Sequence, residues 1–250
     1  MAVTAPGSHV ATPTGRPFEA STDVVLLGGF QLRTAGHAVD LPLSSQRLIA
    51  FLAVHEQVLQ RTFVAGSLWP DVPDERALAS LRSVLWRLRD LAPGVVEGQQ
   101  TSIRLNEAIM VDMTRLMHAS HAAAELGSAE MGPLASRFSV GELLPDWYDD
   151  WLIEWRERWR QIRLHTLERL ARLMIAAGEH EKAIDAALAA IRAEPLRESA
   201  HRTLIEAHLS EGNPSEAIRQ FGRYERLLRQ ELDIEPSPRM RALMREVTGG

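Results

Sequence analysis

The chain has 250 residues, a formal net charge of −5, 45% hydrophobic and 24% charged residues, and no cysteine. Such a length suggests one or two domains with real cores, and the missing cysteines exclude a disulfide framework or a thiolate metal site. The apolar runs are too short to span a bilayer, and Met1–Thr22 lacks the basic start and apolar stretch of a secretory signal, so a cytoplasmic protein is expected.

Residues 1–22 are rich in Pro, Gly, Ser, Thr and Ala and are expected to be disordered. Val24–Leu27, Phe30–Arg33 and Val39–Leu41 read as short strands, separated by Gly28-Gly29 and Ala35-Gly36-His37. Ser44 is a candidate cap for a helix over Gln46–Val54, with Leu48, Ile49, Phe51 and Leu52 on its apolar face. A second helix fits Thr62–Trp69. The loop Trp69-Pro-Asp-Val-Pro73 follows, and Asp74 is a candidate cap for a third helix.

That third helix carries Arg76–Arg89, RALASLRSVLWRLR, with four arginines and no acid. At about 100° per residue, Ala77, Leu81, Val84, Leu85 and Leu88 share a face. Arg76, Ser80, Ser83 and Arg87 are expected opposite them, with Arg82, Arg89 and Trp86 flanking the stripe. Arginines and small hydroxyls on the free face of an amphipathic helix suit a DNA major groove, where they reach phosphates and guanine edges. Val95–Glu97 and Ser102–Leu105 read as a hairpin, with Gln100, Ser102 and Arg104 on or near this wing, and Met110–Asp112 as a closing strand. Three strands, three helices and a hairpin make a winged helix-turn-helix, whose third helix is the reader.

From Thr114 onward the pattern is helical. Gly178-Glu-His-Glu-Lys-Ala-Ile184 recurs as Gly212-Asn-Pro-Ser-Glu-Ala-Ile218, an offset of 34 residues, which is the tetratricopeptide period. Helices are expected over Leu164–Ala177 and Ala200–Glu211, and over Arg239–Val247 with Ser237 as cap. Trp147, Trp151, Trp155 and Trp159 recur every four residues, which places them on a helix packed by the repeats and by the N-terminal domain. The fold class is thus α+β. A winged helix-turn-helix (23–113) precedes an all-α tetratricopeptide-like domain (114–250).

Nucleotide-loop, zinc-protease and serine-hydrolase signatures are absent, and no enzyme or cofactor is expected. His118 and His121 share a helix face but have no third ligand nearby, so no metal site is expected. Asp146, Asp149, Asp150 and Glu154 read as the acidic start of a helix.

LLGGFQL, FVAGSLWPD, SVLWRLRDL, the Glu-Pro-Leu-Arg-Glu segment and the Glu-Pro-Ser-Pro segment resemble the SARP group of actinobacterial transcriptional activators. That group joins an OmpR-type winged helix to a bacterial transcriptional activation domain. The resemblance covers Val24 to the C-terminus. It implies binding to direct repeats in double-stranded promoter DNA, as a dimer or head-to-tail pair. It also implies recruitment of RNA polymerase holoenzyme through sigma region 4, with the alpha and beta subunits as further candidates, for secondary-metabolite genes. By matching position Arg87 is the leading base contact and Arg82 and Arg89 are phosphate contacts. Trp69, Pro70, Asp71, Val72 and Pro73 match the polymerase-contacting loop. The region that commonly carries Gly-Gly-Tyr reads Gln100-Thr-Ser-Ile103 here, and Trp86 stands where a small polar residue is usual. The competing reading is a protein-interaction adaptor whose winged helix does not read DNA, motivated by the acidic balance and the tryptophan series.

Overall fold

The computed structural model describes residues 21–123 and 125–248. Its N-terminal part is built from β1 (Thr22–Val25), β2 (Gln31–Thr34), β3 (His37–Val39), α1 (Leu43–His55), β4 (Leu59–Gln60), α2 (Arg61–Leu68), α3 (Asp74–Leu91), β5 (Val96–Gly98), β6 (Ser102–Leu105) and β7 (Met110–Val111). The helices α4 (Asp112–Ala122), α5 (Ser128–Phe138), α6 (Trp151–Ala176), α7 (His180–Ala193), α8 (Glu198–Ser210), α9 (Pro214–Leu232) and α10 (Pro238–Thr248) follow. The α+β class with a winged helix ahead of a helical repeat is as expected from sequence.

Two sheets frame the N-terminal helices. The first has the order β3-β2-β1-β7, antiparallel except for the parallel β1–β7 pair. Ala35 (φ 51°) and Gly36 (φ 79°) both take left-handed backbone in the two-residue turn between β2 and β3, the geometry that matches strand twist in a tight hairpin. The second sheet, β4-β6-β5, is the wing with one added strand. Met110–Val111 closes the unit by pairing with β1, and the two-residue β4, not read from the sequence, joins the wing through Leu59 opposite Ile103.

The first strand also ends earlier than its apolar run. Leu26 and Leu27 are buried, but their backbone N–H groups donate to the Asp112 carboxylate at 2.9 and 3.1 Å. The Leu26 carbonyl accepts from Leu144 N, and Gly28 N donates to Glu142 O. Backbone groups that a neighbouring strand would satisfy are taken instead by a side chain and by the segment before α6.

Neither Ser44 nor Asp74 caps its helix. Pro42 and Pro73 occupy those N-cap positions with extended backbone, so Ser44 and Asp74 are already helical. Asp74 and Glu75 then favour the positive end of the α3 macrodipole. Ser237 does act as expected, accepting from Met240 N at 3.3 Å at the start of α10.

α1 is buried all round from Leu48 to Val54, more than the one-sided pattern expected. A helix that is apolar on every side needs cover on every side. Here α3 and β6 pack on it from the N-terminal part, and α6 of the helical part closes the remainder through Trp151 and Trp155.

In the helical part, Gly178 (φ 76°) and Gly212 (φ 87°) end α6 and α8 in left-handed backbone, and Ala183 and Ala217 are fully buried at the following helices. These are the repeat positions read from sequence, and the small side chains let the helices approach closely. One continuous core runs from Val24 to Ala207, and a second cluster of Ile205, Ala217, Tyr224, Leu228, Met240 and Met244 anchors α9 and α10. The sequence expectation for α6 began at Leu164, whereas the helix begins at Trp151. Disorder over 1–22 concerns mostly residues outside those described, and Thr22 already belongs to β1.

Candidate nucleic-acid interface

α2 and α3 form the helix-turn-helix, joined by the loop Trp69–Pro73. α3 is fixed by Ala77, Leu81, Val84 and Leu88, each at most 3% exposed, while Leu78 and Leu85 are only half-buried. This sets the rotation of the helix and corrects the expected division of its faces. Trp86 lies nine positions from Ala77, about two and a half turns, so it points directly away from the core. It is 66% exposed. Arg82 and Arg89 lie to one side of it and are exposed. Arg76 lies on the other side, exposed, with Arg87 and Ser80 half-buried nearer the domain surface.

The guanidinium of Arg87 donates through Nη2 to Ser83 Oγ at 3.3 Å, which aims it along the free face. Among the described residues, Arg76, Arg82, Arg87 and Arg89 form no ion pair with a carboxylate. Four cations on the free side of one helix, unpaired and with carboxylates only at its ends, form an anion-seeking surface on an acidic protein.

The wing differs. Arg104 donates from Nε to Glu97 on β5 at 2.9 Å and also pairs with Glu107. Its charge is offset by two carboxylates, which hold its pKa above the ordinary arginine value. Ser102 sits in β6 with its side chain buried, and Gln100 is exposed at the turn. The positive surface is therefore carried by α3 rather than by the hairpin.

The loop after α2 exposes Pro70, Asp71, Val72 and Pro73, and Trp69 is half-buried beneath them. It borders a groove of about 500 Å³ whose other wall is Tyr148, Asp149, Asp150 and Trp151. Tyr148 is 92% exposed. Arg47 of α1 spans the base of this groove. Its Nη2 donates to Leu68 O at 2.9 Å, and its Nε donates to Asp149 at 2.9 Å.

Three tryptophans belong to this junction. Trp147 stacks on Phe30, Trp151 meets Phe51 edge to face, and Trp155 meets His55. Trp159 turns the other way, stacking on Phe138 and donating from Nε1 to Gly141 O at 3.3 Å. Trp147 is not helical, because Leu144 (φ 44°) turns the chain ahead of α6. Arg156 holds that turn by donating from Nε to Leu143 O at 2.9 Å. Sequence reasoning placed Phe51 on the apolar face of α1 but missed Arg47 and His55 as partners of this junction. The one available signal was Arg47 directly before the apolar run Leu48–Val54 of α1. His118 and His121 are exposed on α4, and no group of three metal-ligating side chains gathers among the described residues. No helix among them is long and apolar enough to cross a membrane.

The family described as "Bacterial transcriptional activator domain" matches residues 111–248, more than half of the chain. The chain belongs to this family. The activator-domain match begins at β7, and its helices carry the tryptophans that grip α1. The chain is also similar to the regulatory protein AfsR of Streptomyces coelicolor, 29% identical over 216 residues, 80% of this chain and 21% of that protein. AfsR of Streptomyces griseus is 29% identical over 202 residues, covering 75% and 20%. The chain thus spans about a fifth of the length of these curated relatives. Among solved structures, Mycobacterium tuberculosis EmbR, determined in complex with a low affinity phosphopeptide, shares the fold with a TM-score of 0.73 at 23% identity. That match covers 92% of this chain and 66% of the other. The family match and the likeness to AfsR agree with the resemblance to the SARP group read from the sequence.

Proposed function

We propose that this activator reads promoter DNA with α3 and recruits RNA polymerase with the loop that follows α2. Residues 23–113 act as the reader and residues 114–250 as the activation domain. The observation that carries this reading is the α3 face: four arginines free of counter-ions, two small serines between them, and a core-anchored opposite side. Arg87 takes a guanine edge, Arg82 and Arg89 hold phosphates, and Arg76, Ser80 and Ser83 support the approach. Trp86 lies against the groove floor. Ser102 supports the wing from inside, and Arg104 makes at most a weak backbone contact because Glu97 and Glu107 already hold it.

Trp69, Pro70, Asp71, Val72 and Pro73 present the polymerase contact, aimed at sigma region 4, with the alpha and beta subunits as neighbouring targets. Arg47 fixes this loop to the activation domain, so binding DNA also positions the contact surface. The protein works on the nucleoid in the cytoplasm, without catalysis or cofactor. Two protomers sit head to tail on direct repeats upstream of secondary-metabolite genes, an arrangement that needs no two-fold axis.

Selection of bound duplexes from a random pool by the full chain at low salt tests this. The expected result is an enriched direct repeat whose half-sites lie about one or two helical turns apart. A pool that stays random overturns DNA reading and favours the adaptor reading.

A further inference from the structure

Trp86 is conspicuous in a way that packing does not explain. It is the outermost side chain of α3, 66% exposed, and among the described residues it has no aromatic or cation partner. Trp86 differs from the other exposed apolar side chains in standing at the centre of a cationic helix face, where an indole offers a large, rigid contact area. Ala79 and Ser83, its small neighbours on that line, leave it standing above them, and Glu75 and Asp90 close the line at the helix ends.

We propose that Trp86 is a specificity residue that reads thymine, its indole packing on the C5-methyl group in the major groove. The inference rests on α3 being the DNA reader. If α3 enters the groove with Arg82 and Arg89 toward one wall and Arg76 toward the other, Trp86 is aimed at the base edges beside Arg87. The thymine methyl is the one apolar feature that the four bases present there. Wedging between base steps is the competing use of a large apolar side chain, but such wedges enter from the minor groove, which a recognition helix does not occupy. The expected pattern is a thymine within reach of Trp86, flanked by the guanine that Arg87 takes.

The test uses the full chain and the duplex enriched from the random pool. Each thymine is replaced in turn by deoxyuridine, which removes the methyl group and keeps every hydrogen-bonding atom. One replacement should weaken wild-type binding roughly fourfold, the equivalent of a buried methyl group. The same replacement should leave the affinity of Trp86→Ala unchanged, and Trp86→Phe should recover part of the sensitivity. Equal losses in wild type and Trp86→Ala, or no methyl-sensitive thymine at all, overturn the proposal. If no duplex is enriched, the DNA reading beneath it falls first, and the two failures are distinguishable. Trp86 is exposed, so its variants should keep the wild-type circular dichroism spectrum.

Discussion

Trp151, the first residue of α6, meets Phe51 of α1 edge to face with ring centroids 5.1 Å apart. The contact joins two residues 100 positions apart in sequence and closes the side of α1 that the winged part leaves open. Phe30 with Trp147 and His55 with Trp155 extend the same seam. The winged part and the helical part are therefore packed against each other along this seam. Trp151→Ala should lower stability by about 2–3 kcal/mol, below the range for a fully buried tryptophan because Trp151 is only half-buried. Urea unfolding measures it, and limited proteolysis should show new cleavage between residues 139 and 150.

Arg47 and Asp149 should couple energetically. Their side chains are 25% and 13% exposed, so neither is well served by water once its partner is gone. A double-mutant cycle with Arg47→Met and Asp149→Asn should give a coupling of about 1–2 kcal/mol. Arg47→Met should also loosen the loop at Trp69–Pro73 through the lost bond to Leu68 O, read as faster amide exchange there. Additive single-variant effects would remove the ion pair from the junction.

Stability should fall as pH drops below neutrality. Burial lowers the pKa of His55, whose Nδ1 donates to Phe51 O at 2.7 Å, and burial likewise lowers that of His201. Both groups are held neutral. Their stabilisation is complete above the unfolded value of about 6.5 and is lost as pH falls through the lower folded values. His55→Gln should flatten the dependence between pH 7.5 and 5.5, measured as the urea midpoint. An unchanged slope in both His55→Gln and His201→Gln would refute it.

Gly178 and Gly212 each hold a backbone that L-residues resist. Nothing crowds a Cβ at either position, so the effect of substitution is conformational rather than steric. Gly178→Ala and Gly212→Ala should each lower stability by about 1–2 kcal/mol, and asparagine should recover part of that, by thermal unfolding.

Much of this architecture was legible in the sequence because it is local. The short strand runs with glycine-bearing turns, the arginine helix and the 34-residue repeat all lie within short windows. The Asp112 carboxylate that replaces a strand partner for Leu26 and Leu27 was not legible, because the residues are 85 or more apart. The two-residue strand β4 carries no pattern of its own and exists through its pairing with β6. The division of the α3 faces changes because Arg76, Ser80, Ser83 and Arg87 lie to one side of the helix rather than opposite its buried stripe. Half-buried Leu78 and Leu85 share the other flank, and Trp86 becomes the outermost residue. The tryptophan spacing correctly announced a packed surface but not the turn at Leu144 that takes Trp147 off the helix.

The most direct measurement is the salt dependence of binding of the full chain to its selected duplex, wild type against Arg82→Ala, Arg89→Ala and Arg87→Ala. If α3 is the reader, the plot of log affinity against log salt is steep. It flattens by roughly 0.9 for each phosphate contact removed with Arg82 or Arg89. Arg87→Ala should instead cost about 1–3 kcal/mol and relax the preference at one base pair. Affinity and slope that survive all three substitutions would place DNA binding elsewhere and contradict the assignment of α3.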